Sequence, residues 1–233
     1  MKKTGIILIL VLLSILFIAV YSVNPVSPGE SNTPNLNFFN PDDGVTLAAK
    51  QGLNNFLSLI PAGDEKLYGF EKREDFLRAE VGEPLKMYSL NPGFLNDPDA
   101  DLKKFIFPLN EWRVPVLIDG KMVSLLTVIK ENDSYKCVDI GGSALATELN
   151  SYEKYFDKNS DEKTLLRLYQ IRCDILIISG KNREVTDGSC YLLSYTKKIF
   201  EQYGGNGTGP VKFDSISPII KIIYSQSLNQ NKK

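Results

Sequence analysis

Residues 112–140 run WRVPVLI, DG, KMVSLLTVIK, END, SYKCVDI. Three apolar, β-branched-rich runs alternate with two turn signals. Asp119-Gly120 is the stronger turn, because both central positions of a type I′ hairpin need positive φ and Asp-Gly accepts them. Glu131-Asn132-Asp133 is read as a three-residue turn. The stretch is therefore a three-stranded antiparallel meander. Pro115 lacks an amide donor, which places the first of its strands at a sheet edge.

Outward from the meander, helical signals appear on both sides. Asp42 or Asp43 can cap a helix from Gly44 to Ile60, whose apolar residues Val45, Ala49, Leu53, Phe56, Leu57 and Ile60 follow helical spacing. Pro61 stops it. A shorter helix is expected over 72–81, a strand over 85–90 and a loop over 91–104. After the meander, Gly141-Gly142-Ser143 opens a helix with Leu145, Leu149, Tyr152 and Phe156 on one stripe. Residues 165–179 read as one long bent strand, with Tyr169, Ile171, Cys173, Ile175 and Ile177 on one face. A short strand follows over 190–193, and Ser194 caps a helix through Tyr203. This second meander-and-helix unit shows no residue-level repeat of the first. The expected fold class is α+β, antiparallel β-meanders with helices packed on one face.

The N-terminus indicates where the body resides. Lys2 and Lys3 precede Gly5–Val23, a run of 19 residues without a charge. At about 1.5 Å per residue it spans about 28 Å, close to the hydrocarbon thickness of a bilayer. The alternatives are an uncleaved transmembrane anchor, favoured by length, and a cleaved signal peptide with a poor small-residue site at Val20-Tyr21-Ser22. The next basic residue is Lys50, so the positive-inside rule exports the body in either case. The expected organisation is 1–23 anchor or signal, 24–41 Pro/Asn-rich linker, 42–225 extracytoplasmic domain and 226–233 polar tail.

Composition excludes several chemistries. Twenty-seven basic against 28 acidic residues give a net charge of -1, which rules out a bulk-charge nucleic-acid binder. The chain has no histidine, which removes Ser-His and Cys-His nucleophile pairs and His-ligated metals. No cofactor motif is present. Gly204 to Pro210 is glycine-rich, but follows a helix where a phosphate loop precedes one.

The remaining candidates each have a plain alternative. Asp97, Asp99 and Asp101 place carboxylates at alternating positions, the start of a calcium loop. Leu102 then stands where the EF-hand needs Gly and Pro108 where it needs Glu, so the plain alternative is a solvated loop whose last Asp caps a turn. Ser194-x-x-Lys197 matches a Ser/Lys hydrolase motif, but so does Ser151-x-x-Lys154. Cys173 and Cys190 invite a disulfide in an exported protein. A hairpin centred near residue 184 sets Cys190 opposite about Ile178, which leaves Cys173 out of register and reads as a buried thiol. Trp112-Arg113 is read as a core tryptophan beside a surface arginine. Asn132 and Asn206 head N-x-S/T sequons. The function expected from all this is a non-catalytic extracytoplasmic module that binds a protein partner, envelope polymer or small ligand. The alternative is a His-independent hydrolase using carboxylates or Ser/Lys.

Overall fold

The computed structural model describes residues 41–230 apart from 98 and 208. The expected anchor or signal at 5–23, and the linker up to residue 40, lie outside the described residues. Among the described residues no helix is long and apolar enough to cross a membrane.

The fold is α+β, built on a mostly antiparallel mixed sheet. Helix α1 (Pro41–Leu59) leads through 3-10 turns to β1 (Glu80–Val81) and β2 (Leu85–Leu90). Two more 3-10 turns precede the meander β3 (Ile106–Ile118), β4 (Lys121–Glu131) and β5 (Ser134–Gly141). Helix α2 (Ser143–Tyr152) follows, then β6 (Asp161–Leu168), β7 (Cys173–Gly180), β8 (Ser189–Leu192) and α3 (Ser194–Gln202). The described chain ends with β9 (Val211–Lys212) and α4 (Phe213–Gln230). The strands form one sheet in the order β5-β4-β3-β2-β6-β7-β8-β9, with β1 beside β3. The two meanders join through β2 and β6, which run parallel. An all-antiparallel reading fails there because α2 carries the chain across the sheet between the two meanders.

Helices cover both faces of this sheet, not one as the sequence predicted. The reason lies in the doubly apolar strands. In β4, Leu126 and Val128 bury against Val45, Ala49 and Leu53 of α1. The adjacent Leu125 points the other way, into a cluster with Ala146 and Leu149 of α2. In β7, Cys173, Ile175 and Ile177 pack with Phe200 of α3 and with Ile216, Ile220 and Tyr224 of α4. Leu176 and Ile178 face the α2 cluster instead. Alternate side chains point to opposite faces of a strand, so continuous apolar runs demand two covers. Helix α1 approaches β5 closely: a Cβ on Gly52 would fall 2.3 Å from the Cys137 Cβ.

Other expectations are corrected by local geometry. Pro115 is not on an edge strand, since β3 pairs with β4 on one side and with β1 and β2 on the other. Its carbonyl accepts from the Gly82 amide at 2.8 Å. Its missing donor therefore faces Gly82–Pro84, the break between β1 and β2, where no ladder bond is required. The turn after β4 has two residues, because Glu131 pairs with Ser134 and both Asn132 and Asp133 adopt positive φ. Residues 165–179 are a hairpin: β6 and β7 pair antiparallel around a 3-10 turn at Tyr169–Ile171, closed by Arg172 at φ 53°. The helix expected over 72–81 is a 3-10 turn, Arg73–Arg78, followed by β1. Helix α1 starts at Pro41, a residue suited to the first helical position. Helix α4 takes in residues 226–230 of the expected tail and carries Pro218 within it.

Candidate ligand-binding face

Helix α2 covers only part of its face of the sheet. Beyond it, the strands carry charged residues where the preceding positions are apolar. Strand β6 places Leu165 in the α2 cluster, and Arg167, two positions on, shares its face. On β7 the same step leads from Leu176 back to Asp174. One row across four strands reads Phe107 (β3), Ser89 (β2), Arg167 (β6) and Asp174 (β7), each paired with the next. At about 4.8 Å per strand the row is about 14 Å wide. Arg113 and Thr127 pair across β3 and β4 on this same face.

The charges engage one another incompletely. Arg113 donates one guanidinium nitrogen to Thr127 Oγ1 and sets another 3.1 Å from Glu111 Oε1. Its Nε is buried without a partner. Arg167 Nη1 stands 3.6 Å from Asp174 Oδ2, an ion pair beyond hydrogen-bond length, and Asp174 Oδ1 has no partner. The Asp174 side chain is 18% exposed. Burial pushes its carboxyl above the ordinary carboxylate range, against the pull of Arg167 and Arg113. The Asp174 backbone is held firmly: Thr196 Oγ1 donates to its carbonyl at 2.7 Å and accepts from its amide at 2.9 Å. Glu148 of α2 borders the plate. It accepts from the Ser194 hydroxyl at 2.6 Å and from the Ser194 amide, which places a carboxylate at the start of α3.

Two aromatic side chains stand out of this plate. Tyr169 is 46% exposed, and its ring lies 5.5 Å from the Arg167 guanidinium carbon. Burial raises its phenol, with the negative charge of Glu111 adding to the effect. Phe107, at the far end of the row, is 41% exposed. The arrangement offers fixed donors and acceptors between two exposed rings.

The residues singled out in the sequence have other roles. Asp97 Oδ1 accepts from the Asp99 amide, and Asp101 Oδ1 caps the turn at Leu102–Phe105 through the Lys103 amide. Among the described residues no three His, Cys, Asp or Glu side chains are grouped to hold a metal. Ser194 bonds Glu148, whereas Lys197 faces Glu201 at 3.9 Å, so the motif forms no Ser–Lys pair. Ser151 donates to the Glu148 carbonyl, and Lys154 lies over the Tyr155 ring. All three cysteines are free thiols. Cys190 lies opposite Ile177, one residue from the expected register. Burial pushes the Cys173 thiol up to about 11 and that of Cys190 to about 12. Gly204 and Gly205 end α3 by donating to the Glu201 and Phe200 carbonyls, a helix stop. Trp112 is buried in the α1 cluster, while Arg113 belongs to the charged plate.

Arg167, Asp174, Glu111, Tyr169 and Phe107 were not anticipated. A signal for two of them was available: Arg167 and Asp174 each interrupt an apolar run in a strand otherwise buried on both faces. No protein-family model matches the chain, and no curated protein does.

Proposed function

We propose that this chain is a non-catalytic binding module. Residues 5–23 would hold it at the membrane as an anchor, or direct its secretion if cleaved, with the body outside the cytoplasm. The ligand lies across the uncovered part of the α2 face. One observation carries this reading: in a sheet with two apolar faces, this area gathers Glu111, Arg113, Arg167 and Asp174 and holds two of the four buried side-chain atoms left unpartnered among the described residues, Arg113 Nε and Asp174 Oδ1. Buried polar groups are ordinarily satisfied, and a cluster of exceptions calls for a reason outside the fold's own stability.

An open face suits the remaining geometry. A cavity of about 210 Å³ lies between Leu102 and α4, and one of about 70 Å³ beside Lys163. Both are smaller than the roughly 300 Å³ at which small-molecule pockets begin. Catalysis would also need a group poised to react; the Ser194 hydroxyl is bonded to Glu148, whose carboxylate the Ser194 amide also holds at the start of α3, and burial raises the Cys173 and Cys190 thiols.

The location is tested by topology. A reporter fused after Val23 reads out on the extracytoplasmic side, because Lys2 and Lys3 are the flanking positive charges. A reporter active in the cytoplasm ends the exported-module reading. Resistance to carbonate extraction then separates the anchor from the cleaved signal.

A further inference from the structure

We infer that the plate formed by Phe107, Arg167, Tyr169 and Asp174 binds an uncharged polysaccharide chain. The inference rests on the binding-module reading and names its ligand class.

The chemistry of the plate selects the ligand. A sugar ring presents vicinal hydroxyls, each both donor and acceptor, on an apolar C–H frame. The Arg167 guanidinium stands 3.6 Å from Asp174 Oδ2, short of closing a hydrogen bond with it, and the two side chains are 30% and 18% exposed. A pair of vicinal hydroxyls laid over the edge of this ion pair donates to the Asp174 carboxylate and accepts from Arg167. Such a ligand completes what the protein leaves open. Tyr169 and Phe107 supply exposed rings on which C–H faces stack. They flank the polar pair, Tyr169 above Arg167 and Phe107 two strands away. A row of about 14 Å accommodates a run of several sugar units, not a single one.

Charge argues against the competing ligands. The arginines Arg113 and Arg167 are balanced on the plate by Glu111 and Asp174, with Glu148 at its border. A polyanion meets carboxylates at every arginine, and a polycation meets arginines at every carboxylate. A neutral, hydroxyl-rich chain meets neither penalty. The shape argues the same way: Phe107 and Tyr169 stand 41% and 46% exposed, and the middle of a long polymer needs contacts it can reach from outside without threading an end into a cavity.

The test uses the full-length chain in a sugar-free detergent. It is presented with a panel of neutral oligosaccharides covering gluco-, manno-, galacto- and N-acetylglucosamine chains, with polygalacturonate and a mixed tryptic peptide digest as controls. The expected result is binding to at least one neutral oligosaccharide that persists in about 0.5 M NaCl, where exposed charge attraction is screened. Tyr169→Ala and Phe107→Ala each weaken it about tenfold, the scale of one lost ring contact. Asp174→Ala weakens it at least as much. None of the three lowers the thermal midpoint enough to account for the loss. Tyr155→Ala, which removes a half-exposed ring on a different part of the protein, leaves binding unchanged. Binding to no neutral oligosaccharide overturns the inference. So does binding confined to the polyanion or the peptides, or a loss seen with Tyr155→Ala and not with Tyr169→Ala. These failures are distinct from a cytoplasmic reporter after Val23, which removes the exported-module reading itself.

Discussion

Gly120→Val isolates the cost of backbone conformation from that of packing. Gly120 sits at φ 78° in the Asp119-Gly120 turn, and a Cβ placed there meets nothing within 4 Å. Any loss of stability therefore comes from forcing an L side chain into the left-handed region. That region costs about 1–2 kcal/mol for a non-glycine residue, with β-branched residues at the upper end. Substitution of glycine also restricts the unfolded chain, which returns about 0.4–1 kcal/mol. Val should thus lower stability by about 1–2 kcal/mol, Ala by about 0.5, and Asn, which tolerates this region, by less. Urea melts of the chain from Asn40 onward measure it. With a slope of about 2 kcal/mol per molar, Val shifts the midpoint by about 0.5–1 M and leaves the slope unchanged.

Gly52→Ala is the control, because its cost has the opposite origin. In an exposed helix interior Gly→Ala gains about 1 kcal/mol. Here the new Cβ falls 2.3 Å from the Cys137 Cβ, an overlap that a rotamer change cannot relieve. Ala should therefore destabilise, and Val at this position more so. The ranking at Gly120 follows φ, and the ranking at Gly52 follows size. If Gly120→Val melts with the wild type, or if Gly52→Ala is more stable than wild type, the hairpin geometry or the seating of α1 on β5 is wrong.

Three further outcomes are expected. Asp174→Asn should raise the thermal midpoint at pH 7: burial lifts the folded carboxyl above its ordinary 3.8, so the charged form costs stability above the raised value, and the cost disappears as pH falls through it. An advantage of the Asn variant that grows toward pH 3 would reverse the sign and refute the argument. Cys173 and Cys190, with thiols pushed up to about 11 and 12, should resist iodoacetamide at pH 8 in the native protein and react in urea; protection that persists in urea without reductant would mean a disulfide. Arg172→Gly should leave stability unchanged or improve it by up to about 1 kcal/mol, while Arg172→Val costs about 1–2, since Arg172 holds φ 53°; the opposite signs would restore a continuous strand through residues 165–179.

The first meander was legible because its turns are written in residues that need special backbone angles. Asp119 and Gly120 do adopt positive φ, and the flanking runs pair across them. The β6–β7 turn carries no such mark. Tyr169-Gln170-Ile171-Arg172 contains no Gly, Pro, Asn or Asp, and the left-handed position is filled by an arginine that the paired strands force there. Tertiary pairing overrode local preference, and two strands read as one. Helix α4 was hidden for the converse reason: Pro218 breaks the expected pattern, yet Ile216, Ile220 and Tyr224 continue a buried stripe across it. Packing of that stripe against β6, β7 and β8 outweighs the lost amide.

The candidate face was less legible than the fold, and the cause lies in the sheet order. Arg113 and Asp174 are 61 residues apart in a chain whose meanders, read alone, are separate units. They share a face because β2 and β6 pair in parallel, which merges the two meanders into one sheet. Nothing local announces a parallel pair between strands that have the whole first meander and α2 between them in the chain. What a single strand does reveal is the exception to its own pattern. Arg167 stands among Leu165, Leu166 and Leu168, and Asp174 between Cys173 and Ile175. A charge in a strand buried on both faces lowers stability unless it is matched, so its presence marks a place where the sheet is left open. Two such interruptions on neighbouring strands of a hairpin, in register as Arg167 and Asp174 are, mark the same place twice. The signal for the candidate face lay in where the apolar pattern failed, and only the strand order shows that the failures coincide.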